Sequence, residues 1–175
     1  MSPYVSLIIW RWVESGDIEV LLALRSAFQY DDPSRVQPQD FCGGWQIFPS
    51  GKLGGDEGSP LTTVWSKLRD DGGVMAMIGL KALVGSNPTR LRQLDQNCFA
   101  VEIKESDDFD GESNFLNLVN LSPNYILVAW KSLAEILHFN DLALYRHGVP
   151  KGVEAIFRDQ LDLIKKLADQ VRRTG

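Results

Sequence analysis

The residues of this chain best placed to do chemistry lie between Trp45 and Val74, in the stretch WQIFPSGKLGGDEGSPLTTVWSKLRDDGGV. Asp70 and Asp71 are adjacent carboxylates at the end of a helical pattern. Lys67 stands about one turn before them, and a glycine-rich loop carrying Glu57 leads in. Clustered carboxylates can hold a hard divalent cation, which takes oxygen ligands. An ammonium beside them can instead meet a phosphate as a point charge. Acidic groups at a helix C-terminus oppose the macrodipole, so this placement costs stability unless a cation compensates. The bland alternative is a solvated helix end, since acidic pairs are common on surfaces.

The elements that must position these groups are written nearby. Ser59 can cap exposed backbone N–H groups and Pro60 suits the first helical position, which predicts a helix from Ser59 to about Arg69. Leu61, Val64, Trp65 and Leu68 recur at helical spacing, so one face should pack on a sheet, and Gly72-Gly73 should end the helix.

The stretch resembles the signature of the Nudix hydrolases. Gly51 and Glu57 match the opening of that signature at its spacing. Leu68, Asp70, Asp71, Gly73 and Val74 match its close, and joining the halves takes one extra residue, most simply Gly58. In the family, three glutamates on the helix hold divalent cations that polarise a diphosphate and activate water. Here Lys67 takes the place of the first, Ser66 that of the neighbouring Arg, and the remaining two are shortened to Asp70 and Asp71. An ammonium cannot coordinate a metal and repels it, and a lysine alone cannot lower the pKa of water as a metal does. The resemblance implies catalytic or site roles for Glu57, Lys67, Asp70, Asp71 and Glu112. Asp70 and Asp71 would be weak ligands for magnesium or manganese. Glu57, which braces the helix through the Arg in the family, lacks that partner and could contact Lys67.

Other candidates carry less pattern. Arg25 ends the run LLALR and could meet phosphate or close a salt bridge; Gly51 and Lys52 join it as candidate ligand-binding residues. Glu112 is the nearest acid to where many members of the family keep a base, within the acidic loop Glu105–Glu112. That loop fails as a calcium loop, because Ser106 and Asn117 fall where ligands belong. Trp45 and Tyr30 could stack a base, although Trp45 also suits a core. His138 and His147 sit in no nucleophile frame.

With 175 residues, a hydrophobic fraction of 44% and a charged fraction of 23%, the chain has an ordinary globular composition and length for one domain. A net charge of −5 gives no electrostatic footprint for nucleic acid or anionic membranes. Cys42 and Cys98 are too few for a disulfide scaffold, and the apolar run in MSPYVSLIIWRW is too short to span a bilayer. Cytoplasmic residence is the expectation.

Strands are predicted over Tyr4–Trp12 and Ile18–Leu24, joined by the turn Glu14–Asp17, and again over Phe41–Phe48, Asn97–Ile103 and Tyr125–Trp130. Gln29–Asp40 reads as a surface loop. Helix is predicted over Met75–Leu83, Ser132–Leu137 and Val153–Val171, with a short helical turn in Thr89–Gln96. The whole reads as a single α/β (α+β) domain, a Nudix-like α/β/α sandwich with a mixed sheet. The function expected is binding of a nucleotide, a phosphorylated ligand or a protein partner with little or no hydrolysis. The alternative is an active metal-dependent hydrolase of a nucleoside-diphosphate-linked compound.

Overall fold

A computed structural model of the chain describes residues 4–53 and 58–174. In chain order the strands are β1 (Tyr4–Trp12), β2 (Ile18–Arg25), β3 (Phe28–Gln29), β4 (Gln37–Pro38), β5 (Trp45–Ile47), β6 (Ser50–Lys52), β7 (Leu91–Asp95), β8 (Cys98–Glu102), β9 (Tyr125–Ser132), β10 (Asn140–Asp141) and β11 (Ala155–Ile156). The helices are α1 (Pro60–Gly72), α2 (Val74–Ser86), α3 (Leu133–Ile136) and α4 (Arg158–Thr174). The chain forms two compact units. One comprises the chain up to Trp12 with Phe48–Ser122, the other Val13–Ile47 with the chain from Pro123 onward.

The first unit is built on β1. It runs parallel to β8, from Ser6 opposite Cys98 to Trp10 opposite Glu102, and antiparallel to β6, with Val5 opposite Gly51. Val5, Leu7, Ile8 and Ile9 are all fully buried, as expected for a strand covered on both faces, which reads as an unbroken apolar run. The same holds for β8, where Cys98, Phe99, Ala100 and Val101 alternate between two faces and all are buried, so both faces are covered.

Two helices follow. α1 packs against β1 and β6, burying Val64, Trp65 and Leu68, while Leu61 is only half-buried. Ser59 caps it as predicted, its Oγ accepting from the Thr62 N–H at 3.2 Å. The helix runs on through Asp70 and Asp71 to Gly72, past the expected end near Arg69. Gly73, with φ of 93°, both ends α1 and starts α2. The helical turn expected in Thr89–Gln96 is confined to a 3-10 turn at Pro88–Arg90, and Leu91–Asp95 is strand β7. Backbone pairing with β8 outweighs the weak local preference there, and the Asp95 carboxylate forms the reversal by accepting from the Asn97 N–H at 2.9 Å.

In the second unit β2 pairs antiparallel with β9 and β5, and β5, β11 and β10 continue in parallel. The strand pairing within each unit is therefore mixed, parallel and antiparallel, as the sequence predicts. The expected strand Phe41–Phe48 narrows to Trp45–Ile47, since Phe41 and Gly43 take positive φ and turn the chain. Gln29–Asp40 is not purely loop, for Phe28–Gln29 and Gln37–Pro38 form a short hairpin. The last helix starts at Arg158 rather than Val153. Ile156 fits the apolar stripe by spacing, but the backbone of Ala155 and Ile156 pairs as a strand with Asn140, Asp141 and Trp45. From Leu161 onward the stripe holds, with Ile164, Leu167, Ala168 and Val171 buried. α3 opens on a complete capping box between Ser132 and Glu135.

Candidate functional site

The candidate site lies within the first unit, where α1 crosses β6. Gly51 is the middle residue of β6, and Lys67 lies on the α1 face above it. A Cβ built on Gly51 would stand 2.9 Å from both Cδ and Cε of Lys67, inside contact distance. The lysine stem therefore occupies the space that any side chain at position 51 would fill. This explains the glycine by close approach rather than by turn geometry.

Lys67 does not pair with Asp70 or Asp71, as their helical spacing suggests it should. No described carboxylate lies within ion-pair distance of its Nζ. The reason is directional. Side chains on an α-helix lean toward the N-terminus, so Lys67 runs back over Gly51 and away from the acids that follow it. Asp70 instead meets Arg69, Oδ1 to Nε at 3.3 Å, with the two side chains 57% and 49% exposed. An ion pair that open adds little to stability.

The helix end that carries the acids is tied down by its backbone. Ser122 N–H donates to the Asp71 carbonyl and Asn120 N–H to the Gly72 carbonyl, both at 2.8 Å, while Gly73 N–H donates to the Arg69 carbonyl at 2.9 Å. These donors satisfy carbonyls that a helix C-terminus leaves open, and Arg69 supplies a cation in the last turn. The unfavourable pull of the helix C-terminus on Asp70 and Asp71 is thereby reduced at its backbone carbonyls. At Gly73 a Cβ would also stand 3.0 Å from Asn120 Cβ, so the same contact that clamps the helix leaves room only for glycine.

The other candidates are dispersed. Lys52 is exposed, and by strand alternation it projects to the face of β6 opposite Gly51 and Lys67. Glu112 serves its own loop: Oε1 accepts from the Asn114 N–H and from Asn117 Nδ2, each at 3.1 Å. Those two bonds, the Asn114 one first, hold its carboxyl below the ordinary range, which makes it a weaker base. Arg25, in the second unit, donates from Nη1 to Gln46 Oε1 at 2.7 Å and from Nη2 to the Asp40 carbonyl at 2.9 Å. Trp45 is 5% exposed and belongs to the core, whereas Tyr30 is exposed. Glu57 lies outside the described residues.

Sequence reasoning overlooked one ion pair. Arg90 grips Asp107 in a bidentate pair, Nη1 to Oδ2 at 2.7 Å and Nη2 to Oδ1 at 2.9 Å, with both side chains nearly buried. Asp107 Oδ2 also accepts from the Lys104 N–H at 2.7 Å. Burial alone would raise this carboxyl, but the bonds from the Arg90 guanidinium and the Lys104 N–H, with the charges of those same two residues, outweigh it and hold it below the usual range. The pair anchors the acidic loop, where Phe109 and Phe115 stack edge to face at 5.4 Å, and so makes that loop structural. An arginine beside the Asn87-Pro88 breaker and an acid in the run Asp107–Asp110 were legible separately; their pairing across the fold was not.

Among the described residues no group of three or more His, Cys, Asp or Glu is placed to hold a metal ion. The described part of the box offers two acids, one of them engaged with Arg69, and an ammonium at the first ligand position. A hard cation takes several oxygens at short range, more than these two described acids alone supply.

No protein-family description and no curated protein matches the sequence. Solved structures do match the fold. A C. elegans Ap4A hydrolase, solved as a binary complex, superposes with a TM-score of 0.52 at 14% identity, covering 98% of each chain. Shewanella oneidensis NrtR gives 0.53 at 18% identity over 99% of this chain and 64% of its own. The C-terminal domain of mouse MUTYH, solved with human PCNA, gives 0.51 at 12% identity over 97% of this chain and 88% of its own. The fold is Nudix-like, as the central box implies. Among the described residues, no helix is long and apolar enough to cross a membrane.

Proposed function

We propose that this chain is a single Nudix-fold protein that binds a nucleotide or another phosphorylated ligand and hydrolyses it little or not at all. The observation that carries this reading is the stem of Lys67 lying over Gly51. A glycine that leaves the lysine its channel makes the ammonium a built part of the box. A fixed cation with no carboxylate partner among the described residues suits a diphosphate or a phosphate monoester. It supplies neither the Lewis acid nor the activated water that diphosphate hydrolysis uses. Arg69 beside Asp70, with the Asn120 and Ser122 N–H groups on the helix-end carbonyls, eases the placement of the two acids and supports a box with no resident metal.

Fold alone does not choose the activity. The matched structures include an Ap4A hydrolase, a DNA complex of NrtR with a 27mer, and a domain held by PCNA. Proteins that contain this fold are thus found in complexes of different kinds. The net charge of −5 disfavours DNA here, and the position of Lys67 favours the small anion over the protein partner.

The test is calorimetric titration with pyrophosphate and with ADP, without metal and then with magnesium, alongside a phosphate-release assay. Metal-free binding lost in Lys67→Ala, with phosphate release at background, is the expected result. Absence of metal-free binding, or tight stoichiometric magnesium binding lost in Asp70→Ala, would overturn the reading and favour the hydrolase.

A further inference from the structure

Helix α2 in the first unit is apolar almost all round. Of its 13 residues only Lys81 is charged, and Ser86 is the only other polar side chain. A helix of that composition is expected to be covered on every side. One side is covered: Ala76, Gly79, Leu80 and Leu83 are buried, and a Cβ on Gly79 would stand 2.9 Å from Leu118 Cδ1. The other side is open. Val74 is 52% exposed, Met75 56% and Ile78 50%, and Lys81, Ala82 and Gly85 are exposed with them.

Helical spacing puts Ile78 at the centre of this open face, with Val74 and Lys81 along one flank and Met75 and Ala82 along the other. The larger residues, Val74 and Met75, precede Ile78, and the small ones, Ala82 and Gly85, follow it. A Cβ placed on Gly85 would meet open space, so the far end of the face is shallow and unfilled. The face carries no acid, although the chain has a net charge of −5. Its single cation, Lys81, has no described carboxylate within ion-pair distance.

We propose that this face pairs with the same face of a second copy, the two α2 helices packing antiparallel about a two-fold axis at Ile78. A two-fold contact sets each residue before Ile78 against one that follows it in the other copy. Met75 then lies over Ala82, and Val74 over Gly85 and the stem of Lys81, so larger side chains enter the space left by small ones while Ile78 meets Ile78. Lys81 is carried toward the start of the other α2, which Asp70 and Asp71 closely precede, so the one cation on the face approaches acids of opposite charge. A chain of net charge −5 also meets its copy where it repels least, and the same charge disfavours an anionic membrane as the occupant. Two helices of 13 residues meet along roughly 20 Å. That seam is smaller than the ~800 Å² per partner of a standard-size interface, so association should be reversible.

Sedimentation velocity over low to high micromolar concentrations tests this. The native protein should pass reversibly from monomer to dimer. Ile78→Glu and Ile78→Lys each set like charges against one another on the axis, so each should stay monomeric with its melting temperature retained. Mixed in equal amounts, the two variants should associate more than either does alone, because opposite charges then meet; a merely structural role for Ile78 would not produce that rescue. If either variant does not fold, Ala82→Glu, at an exposed position set against Met75, decides and should stay monomeric. A native protein that is monomeric throughout, a dimer that survives these substitutions, or a mixture that associates no more than its components overturns the proposal.

Discussion

Lys67 and Gly51 show how a residue pair can be read only in three dimensions. The sequence places a lysine where the family carries an acid, and helical spacing suggests that it neutralises Asp70 and Asp71. The lean of helical side chains sends it the other way, over the glycine. Gly51→Ala should therefore displace the lysine stem and leave the fold intact, because the clashing atoms belong to a flexible side chain. Its melting temperature should stay near that of the native protein while pyrophosphate binding weakens severalfold; a large loss of stability instead would show that the glycine serves the backbone. The buried Arg90–Asp107 pair makes the opposite prediction. Removing one partner leaves an uncompensated buried charge, so Arg90→Ala should cost about 3–5 kcal/mol in denaturant unfolding. The Asp107 carboxyl is held below its ordinary pKa of 3.8 in the fold, so its contribution is present in full above that value. It is lost as pH falls through the lower folded value. Asp107→Asn should flatten the acid limb of stability against pH, and an unchanged limb would contradict the role assigned to the pair.

At the scale of elements, the decisive packing is that of α1 on β1 and β6. Trp65 is 9% exposed, and Trp65→Ala should cost about 3–5 kcal/mol by thermal or denaturant unfolding. Gly72→Ala should also destabilise, since its Cβ would stand 2.8 Å from Cζ of the buried Phe48, a rigid ring with nowhere to move. A melting temperature unchanged in both variants would refute the packing described. This helix was the most legible part of the sequence, because its cap, its proline and its apolar spacing are local signals that agree. The strands β1, β2 and β9 were legible for the same reason, being rich in β-branched and aromatic residues. β7 and β11 were not. Each is short and becomes a strand only because a partner distant in the chain offers it a ladder. Ile156 and Phe157 even matched the helical stripe that truly begins at Leu161. Of the candidate site, the box was legible through its glycines and acids. The route taken by Lys67, the partners that occupy Arg25, and the bonds that Glu112 accepts within its loop depend on contacts that no spacing encodes.

For the molecule as a whole, a Nudix-like fold is combined with a box whose described part holds a cation of its own. The measurement that tests this most directly compares native protein with Lys67→Glu in melting curves with and without magnesium, coupled to a phosphate-release assay on diphosphate compounds. Restoring the acid removes the repelling ammonium and completes a set of three carboxylates on one turn and the next. Without metal those acids repel, so the variant should melt below the native protein, and magnesium should raise it by mass action. The native protein should barely respond to magnesium and release no phosphate, while slow hydrolysis by the variant would agree with the same account. Native protein that hydrolyses diphosphates at an ordinary enzymatic rate, about 1–1000 per second, and is slowed by Lys67→Glu would contradict it, and would make Lys67 part of a catalyst.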